Sequence, residues 1–236
     1  PVRRHRRAAR PAPHHGGGRP AAGAGLMAGD GPAGLYVDRR SSSCLRVLSY
    51  LRHKGITDLP LWDIDVMAGA HRQEEHRHVF TARCVPVLAL SDNGPWLSQS
   101  LAILLHLEGR YPDTPALTTD ETARGFVLEL CAYVASDIQA VTNLRIRRHL
   151  KERLGEAEAL AWNAHWTQIG LDTLDTLVAR SVGTCAVGDA PTLADFFIWP
   201  ALRNADRSGH DLSAHAHLGP LYLRYGQRDC FADLVA

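Results

Sequence analysis

The sequence predicts an α/β domain followed by an all-helical domain. Three observations predict it: a β-α-β opening that starts at Gly34, a β-hairpin and helix that complete the first half, and the loss of every strand-like alternation beyond Tyr111-Pro112-Asp113-Thr114-Pro115. At 236 residues the chain can form two modest domains, each able to bury a core.

Leu35-Tyr36-Val37 reads as the first strand and Asp38-Arg39-Arg40-Ser41-Ser42-Ser43 as a polar loop, after which Leu45, Leu48 and Leu51 recur at helical spacing. Lys54-Gly55 ends that helix with a cation at its negative end and a residue free to turn left-handed. From Leu61 to Val66, Trp62, Ile64 and Val66 alternate with Asp63 and Asp65, the period of a strand with one polar face. The helical crossover makes these two strands parallel. A His-rich segment, 71–78, precedes a third strand, Val85-Pro86-Val87-Leu88-Ala89-Leu90. The turn Ser91-Asp92-Asn93-Gly94 leads to a fourth strand around Trp96-Leu97. Ser98-Gln99-Ser100 then opens a helix carrying Leu101, Leu104, Leu105 and Leu107.

Beyond the break the pattern is helical: a long helix from Thr119 to about Leu154, a second from Glu156 to Arg180 with Leu160, Ile169, Leu174 and Leu177 toward a core, and a third from Thr192 to Arg207. Thr192 and Asp195 stand as a capping box with Asp in place of Glu, a device of helix nucleation. The expected domains are a disordered basic tail at 1–33, an α/β domain at 34–112 and a helical domain at 117–236.

Six of the 26 basic residues and none of the 25 acidic ones lie in the first 26 positions, so a basic tail precedes a mildly acidic body. Such a tail reads either as a nucleic-acid arm or transit peptide, or as an unstructured extension upstream of a start at Met27. It lacks serine, amphipathic period and stacking aromatics, which favours the extension and argues against nucleic acid as a partner. No segment is expected to span a membrane. The five cysteines are scattered without a C-x-x-C pair, which argues against disulfides and zinc and points to a reducing cytoplasm. His71, His76 and His78 lack an acidic or cysteine companion at a recognised spacing, so no metal is expected.

The element order, with a proline at the start of the third strand and an all-helical second half, resembles the glutathione transferase superfamily over roughly Gly34 to Phe231. The residues that carry the resemblance are Arg40-Ser41-Ser42-Ser43-Cys44-Leu45-Arg46-Val47, Val85-Pro86, Gln99-Ser100-Leu101-Ala102-Ile103, Asp137-Ile138-Gln139 with Asn143-Leu144-Arg145, and Val187-Gly188-Asp189 with Thr192-Leu193-Ala194-Asp195. The first and fourth sharpen it to the zeta class, which includes maleylacetoacetate and maleylpyruvate isomerases.

This resemblance implies a thioredoxin-like N-terminal domain that binds glutathione, a helical C-terminal domain that binds substrate, and a homodimer. Serines at a helix start offer hydroxyl and N–H donors to an anion, where the dipole adds about half a positive charge; the plainer reading is a serine-rich cap with no ligand. The resemblance assigns Ser41 to glutathione and Ser42 and Ser43 to activation of its thiol. Pro86 resembles the family's cis-proline, with Val85 pairing to the cysteinyl part, and Gln99 and Ser100 resemble the pair that holds the γ-glutamyl carboxylate. Gln139 and Asn143, four apart, share a helix face from which they could reach thiol and substrate. Arg145, about 200° round from Asn143, points elsewhere unless the helix bends. Arg40 and Arg207 match positions at which a dicarboxylate is gripped. Ser43 stands where the class usually has Cys or Thr, and Cys44, one step further in, reads as a packing residue. The implied activity is cis-trans isomerisation, in which thiolate adds to a maleyl double bond, the bond rotates, and elimination leaves the fumaryl product. Conjugation of glutathione to small α-halo acids, and a non-catalytic binding module of the same fold, are the alternatives.

Overall fold

The computed structural model describes residues 33–92, 94–232 and 234; positions 1–32 of the expected tail lie outside the described residues. By packing, the chain divides into two compact units. Unit 1 comprises the described residues up to Cys44 together with Thr57–Ile103, and unit 2 comprises Leu45–Ile56 and the residues from Leu104 onward.

Unit 1 is built on a four-stranded mixed sheet of order β2-β1-β3-β4, with β1 at Gly34–Val37, β2 at Leu61–Asp63, β3 at Val87–Ala89 and β4 at Trp96–Ser98. β1 and β2 are parallel, as the crossover demands, whereas β1 with β3 and β3 with β4 are antiparallel. Helix α1, Ser42–His53, begins inside the expected polar loop, so Ser42 and Ser43 occupy its first turn. Helix α2, Ser100–Arg110, follows β4 directly. Two strands are shorter than their alternation suggests. β2 stops at Asp63 because Asp65 turns the chain, its carboxylate accepting the N–H groups of Met67 at 2.9 Å and Ala68 at 3.0 Å. β3 begins at Val87 rather than Val85, since Pro86 has no N–H to give a ladder. The ring of Tyr36 lies 4.6 Å from that of Trp62 and 5.3 Å from that of Phe80. Gly34 admits this packing, for a Cβ there would fall 2.8 Å from the Trp62 indole.

Unit 2 contains α3 (Glu121–Tyr133), α4 (Gln139–Thr142), α5 (Leu144–Leu154), α6 (Glu156–Val178), α7 (Leu193–Arg207) and α8 (Leu218–Tyr225). α7 is buried at every position from Leu193 to Pro200, the mark of a core helix. The one long helix expected from Thr119 to Leu154 is instead three helices. A five-residue π turn, Val134–Ile138, widens the backbone after α3, and Asn143, with ψ 159°, leaves helical geometry altogether. The side chain of Asn143 then accepts the N–H groups of Arg145 and Ile146, both at 3.1 Å, and so caps α5.

The inner face of α6 also differs from the expectation. Ala159, Asn163, Thr167, Gly170, Leu171, Leu174 and Val178 are buried, while Leu160 and Ile169 are 54% and 41% exposed. A glycine stands on this stripe where the π turn comes close: a Cβ on Gly170 would meet Ile138 Cγ1 at 2.7 Å. Glu121–Leu154 does include an 18-residue window of mean hydropathy 1.2, enough by length and composition for a membrane span and contrary to the expectation that none would be. Within that stretch Val127, Leu130, Cys131, Val134 and Ile138 are buried in unit 2, while most of the window is not.

The capping box is present and does more than nucleate α7. Asp195, with no exposed surface, accepts the Thr192 N–H at 2.8 Å and the Thr192 hydroxyl at 2.9 Å on one oxygen. Its other oxygen accepts the Ala186 N–H and the Tyr225 hydroxyl, each at 2.8 Å, joining α7 to α8 and to the preceding loop. A second buried group holds the break at 111–117. Lys54 donates to the carbonyls of Tyr111 and Asp113 and lies 3.0 Å from Glu108, whose other oxygen accepts the N–H groups of Ala116 and Leu117. Asp195→Ala leaves four donors without an acceptor, and is expected to destabilise the chain by at least about 2 kcal/mol. A melting temperature within about a degree of the parent would show that these bonds contribute nothing net.

Candidate functional site

The sheet register decides which distant segments meet in unit 1. Tyr36 stands opposite Val87, so the residues after β1 lie beside those before β3. Val87 stands opposite Ser98, so the residues after β4 arrive at the same end. Asp38 to Ser43, Val85-Pro86 and Gln99-Ser100 therefore share one end of the sheet. α1 and α2 both start there, presenting two positive helix termini.

At the first of these termini Ser42 is the opening residue of α1, half-buried, and its hydroxyl bonds to no other described residue. Ser43 follows it in the first turn, also half-buried. The Ser41 N–H donates to the Asp38 carbonyl at 2.9 Å, and the Ser41 side chain bonds to Cys44. Cys44 has no exposed surface, its sulfur accepts the Asp38 N–H at 3.4 Å, and burial pushes its thiol up to about 12. A thiol with no exposed surface suits packing better than nucleophilic attack.

Asp38 and Asp65 were not singled out by the sequence, yet they set the shape of this end. Asp38, buried, accepts the Arg40 N–H and Nε at 2.9 Å each, Arg40 Nη2 at 2.7 Å, and the Val66 N–H at 3.1 Å. Arg40 Nη2 also bonds Asp65 at 2.8 Å. The Arg40 guanidinium, expected to grip a substrate carboxylate, is thus already shared by two carboxylates and clamps the turn before α1 to the turn after β2. The one legible signal was an aspartate closing a strand ahead of two arginines.

The Val85–Pro86 peptide bond is cis, and Val85, buried, stays outside both ladders of β3. Gln99 is exposed and has φ 74°, a left-handed conformation that disfavours side chains other than glycine and that clusters at ligand sites. Its carbonyl accepts the Ile103 N–H at 3.0 Å, starting α2, and Ser100 is buried in the first turn.

The other four candidates belong to unit 2. Gln139 opens α4 just after the π turn. Asn143 is engaged at both ends of its amide, as the cap of α5 and as donor to the Ala140 carbonyl at 2.9 Å. The shared helix face expected for Gln139 and Asn143 is lost, because the backbone leaves the helix at Asn143. That same break is the bend Arg145 needed, and Arg145 stands exposed in the first turn of α5. Arg207 ends α7 and is exposed. In the His-rich segment His71 is buried, His76 Nδ1 lies 3.1 Å from the Ala70 carbonyl and His78 stacks edge-on with Trp96. Among the described residues no group of three or more His, Cys, Asp or Glu is placed to hold a metal.

Burial alone would raise the Asp38 carboxyl, but the bonds from Arg40 and from the Val66 N–H hold it below the usual carboxylate range. A folded pKa below the unfolded value near 3.9 contributes stability above that value, and the contribution is lost as pH falls through the folded pKa. Asp38→Asn is therefore expected to lower the melting temperature at pH 7 and to flatten its decline below about pH 4. An acid limb as steep as that of the parent would mean another group controls it.

Residues 40–110 match the family model described as the glutathione S-transferase N-terminal domain. A maleylpyruvate isomerase of a Ralstonia species is 32% identical over 203 residues, covering 84% of this chain and 93% of the relative. The maleylacetoacetate isomerase of Anaeromyxobacter dehalogenans, solved with bound dicarboxyethyl glutathione and citrate, superimposes with a TM-score of 0.75 at 33% identity, covering 85% of this chain and 93% of its own. That of Methylobacterium extorquens, solved with malonate and glutathione, gives a TM-score of 0.79 at 27% identity, covering 85% and 94%.

Proposed function

Because the chain belongs to the glutathione S-transferase family, among its zeta-class and maleylacetoacetate isomerase members, we propose that it is a glutathione-dependent cis-trans isomerase of maleyl dicarboxylates. The observation that carries this reading is the Ser42 hydroxyl, bonded to no other described residue, in the first turn of α1 at the sheet end where the cis-proline segment and α2 also arrive.

The residues at that end fit glutathione. The N-terminus of α2 at Gln99 and Ser100 suits its γ-glutamyl carboxylate, the backbone of Val85 beside the cis Pro86 suits its peptide, and Ser41 to Ser43 suit its sulfur. When bound, glutathione supplies the thiolate that adds to the cis double bond and departs after rotation. The protein's task is to keep that sulfur ionised and to hold the substrate's charges. A free thiol near pKa 8.5 is only about 3% thiolate at pH 7, and lowering it by about two units takes roughly 2.7 kcal/mol. A helix terminus contributes about 0.3–1 kcal/mol and at best about 2. One charge-assisted hydroxyl bond, about 1.5–3 kcal/mol, closes the gap, and Ser42 or Ser43 gives it better than a buried thiol. Arg207, with Arg145, is assigned to the substrate carboxylates, and Arg40 to positioning the turn that carries the serines. The reading extends to a cytosolic homodimer in the catabolism of aromatic compounds; the five cysteines, all free thiols, agree with a reducing compartment.

Turnover of maleylacetoacetate or maleylpyruvate is expected to require glutathione. Ser42→Ala or Ser43→Ala should raise the pKa of the bound thiol and slow the reaction at pH 7 by roughly ten- to a hundredfold, whereas Cys44→Ala should keep most of the activity. Ultraviolet titration of the bound thiolate separates the three variants. Loss of turnover in Cys44→Ala alone, with an adduct on Cys44 in the absence of glutathione, would sink the mechanism. Faster turnover of an α-halo acid than of either maleyl compound would favour the transferase reading, and failure to bind immobilised glutathione a non-catalytic module.

A further inference from the structure

The face of α7 that ends in Arg207 carries a second arginine that the family resemblance did not mark. Arg203 lies one turn earlier, about 40° round the helix and about 6 Å along it, so the two side chains rise from the same face. Neither guanidinium makes a hydrogen bond or an ion pair with another described residue. Arg203 is half-buried, while Arg207 is exposed. Asp206 stands nearby, but its carboxylate accepts the Tyr222 hydroxyl at 3.1 Å and bridges to neither arginine. Two like charges four residues apart oppose each other on a helix. Burial and the charge of Arg207 disfavour the charged form of Arg203, and outweigh the opposing fields of Tyr222 and Asp206. A half-buried cation beside another cation, with no carboxylate bonded to either, is a poor arrangement for stability and a good one for receiving two negative charges.

We propose that Arg203 is a specificity-determining residue that forms, with Arg207, a two-guanidinium clamp for acids carrying two carboxylates. The proposal rests on the functional reading above and deepens it: Arg207 alone would take any carboxylate, and the pair selects a dianion over a monoanion. Each fork can hold one carboxylate, and binding the dianion relieves the repulsion between the two arginines, which a single carboxylate does less completely.

The test uses the full chain with saturating glutathione and two probes, malonate with two carboxylates and acetate with one, their affinities read by calorimetry or by competition. The parent is expected to prefer malonate by about tenfold or more. Arg203→Gln should lose most of that preference while binding glutathione within about twofold of the parent, and in turnover should raise KM for the maleyl dicarboxylate with little change in kcat. Arg203→Lys retains the stem and the charge but lacks the fork, and serves if the glutamine variant does not fold; its preference should fall as well, though less. An undiminished malonate preference in these variants overturns the clamp. So does a parent that does not distinguish malonate from acetate; if that parent still isomerises maleyl substrates only the clamp fails, and if it does not, the functional reading fails with it.

Discussion

The antiparallel register that places Tyr36 opposite Val87 and Val87 opposite Ser98 is the constraint from which the candidate site follows. Side chains in a strand alternate faces, and β1 and β3 are buried on both, so a slip of one residue would exchange the side chains packed on the two faces of these short strands. Leu35, Val37, Val87, Leu88 and Ala89 are all buried, which leaves little freedom for such a slip. With the register held, three segments remote in sequence must end at the same place. The chain then needs only local chemistry there: two helix starts, a proline that cannot join the ladder, and serines whose hydroxyls lie in the first turn of α1.

Around that end the structure spends its charges on shape as much as on ligand. Asp38 gathers Arg40 and the Val66 N–H, and Asp65 gathers Arg40 with two further N–H groups, so one arginine ties the turn before α1 to the turn after β2. In unit 2 the same economy recurs at Asp195 of α7, whose four donors come from α8, from the loop before α7 and from Thr192, the residue that caps it. Buried carboxylates such as Asp38 and Asp195 are costly unless every oxygen is satisfied. The arginines left without carboxylate partners stand out against that background, and Arg203 and Arg207 do so together on one helix face.

Much of this was legible in the chain. The periodicities located every strand among the described residues and the principal helices, the Val85-Pro86 and Gln99-Ser100 pairs marked the segments that converge, and Thr192 with Asp195 announced a cap. What misled was length and phase. The apolar run from Thr119 to Leu154 reads as continuous because a π turn and an asparagine cap leave little trace in hydrophobic spacing. On α6 the larger Leu160 and Ile169 suggested the inner face, whereas that face takes a glycine, Gly170, where Ile138 comes close.

By itself the sequence determined the order of elements, the resemblance to glutathione transferases and the residue types able to carry thiolate chemistry, because these depend on neighbours within a few positions. Only the tertiary structure decided which of those residues are already engaged. Arg40 is committed to Asp38 and Asp65, Asn143 to the start of α5, and Cys44 to the interior, while the Ser42 hydroxyl and the guanidiniums of Arg203 and Arg207 bond to no described residue. The physical reason is that a donor's partner is set by which strand, turn or helix folds against it, and that partner can lie anywhere in the chain.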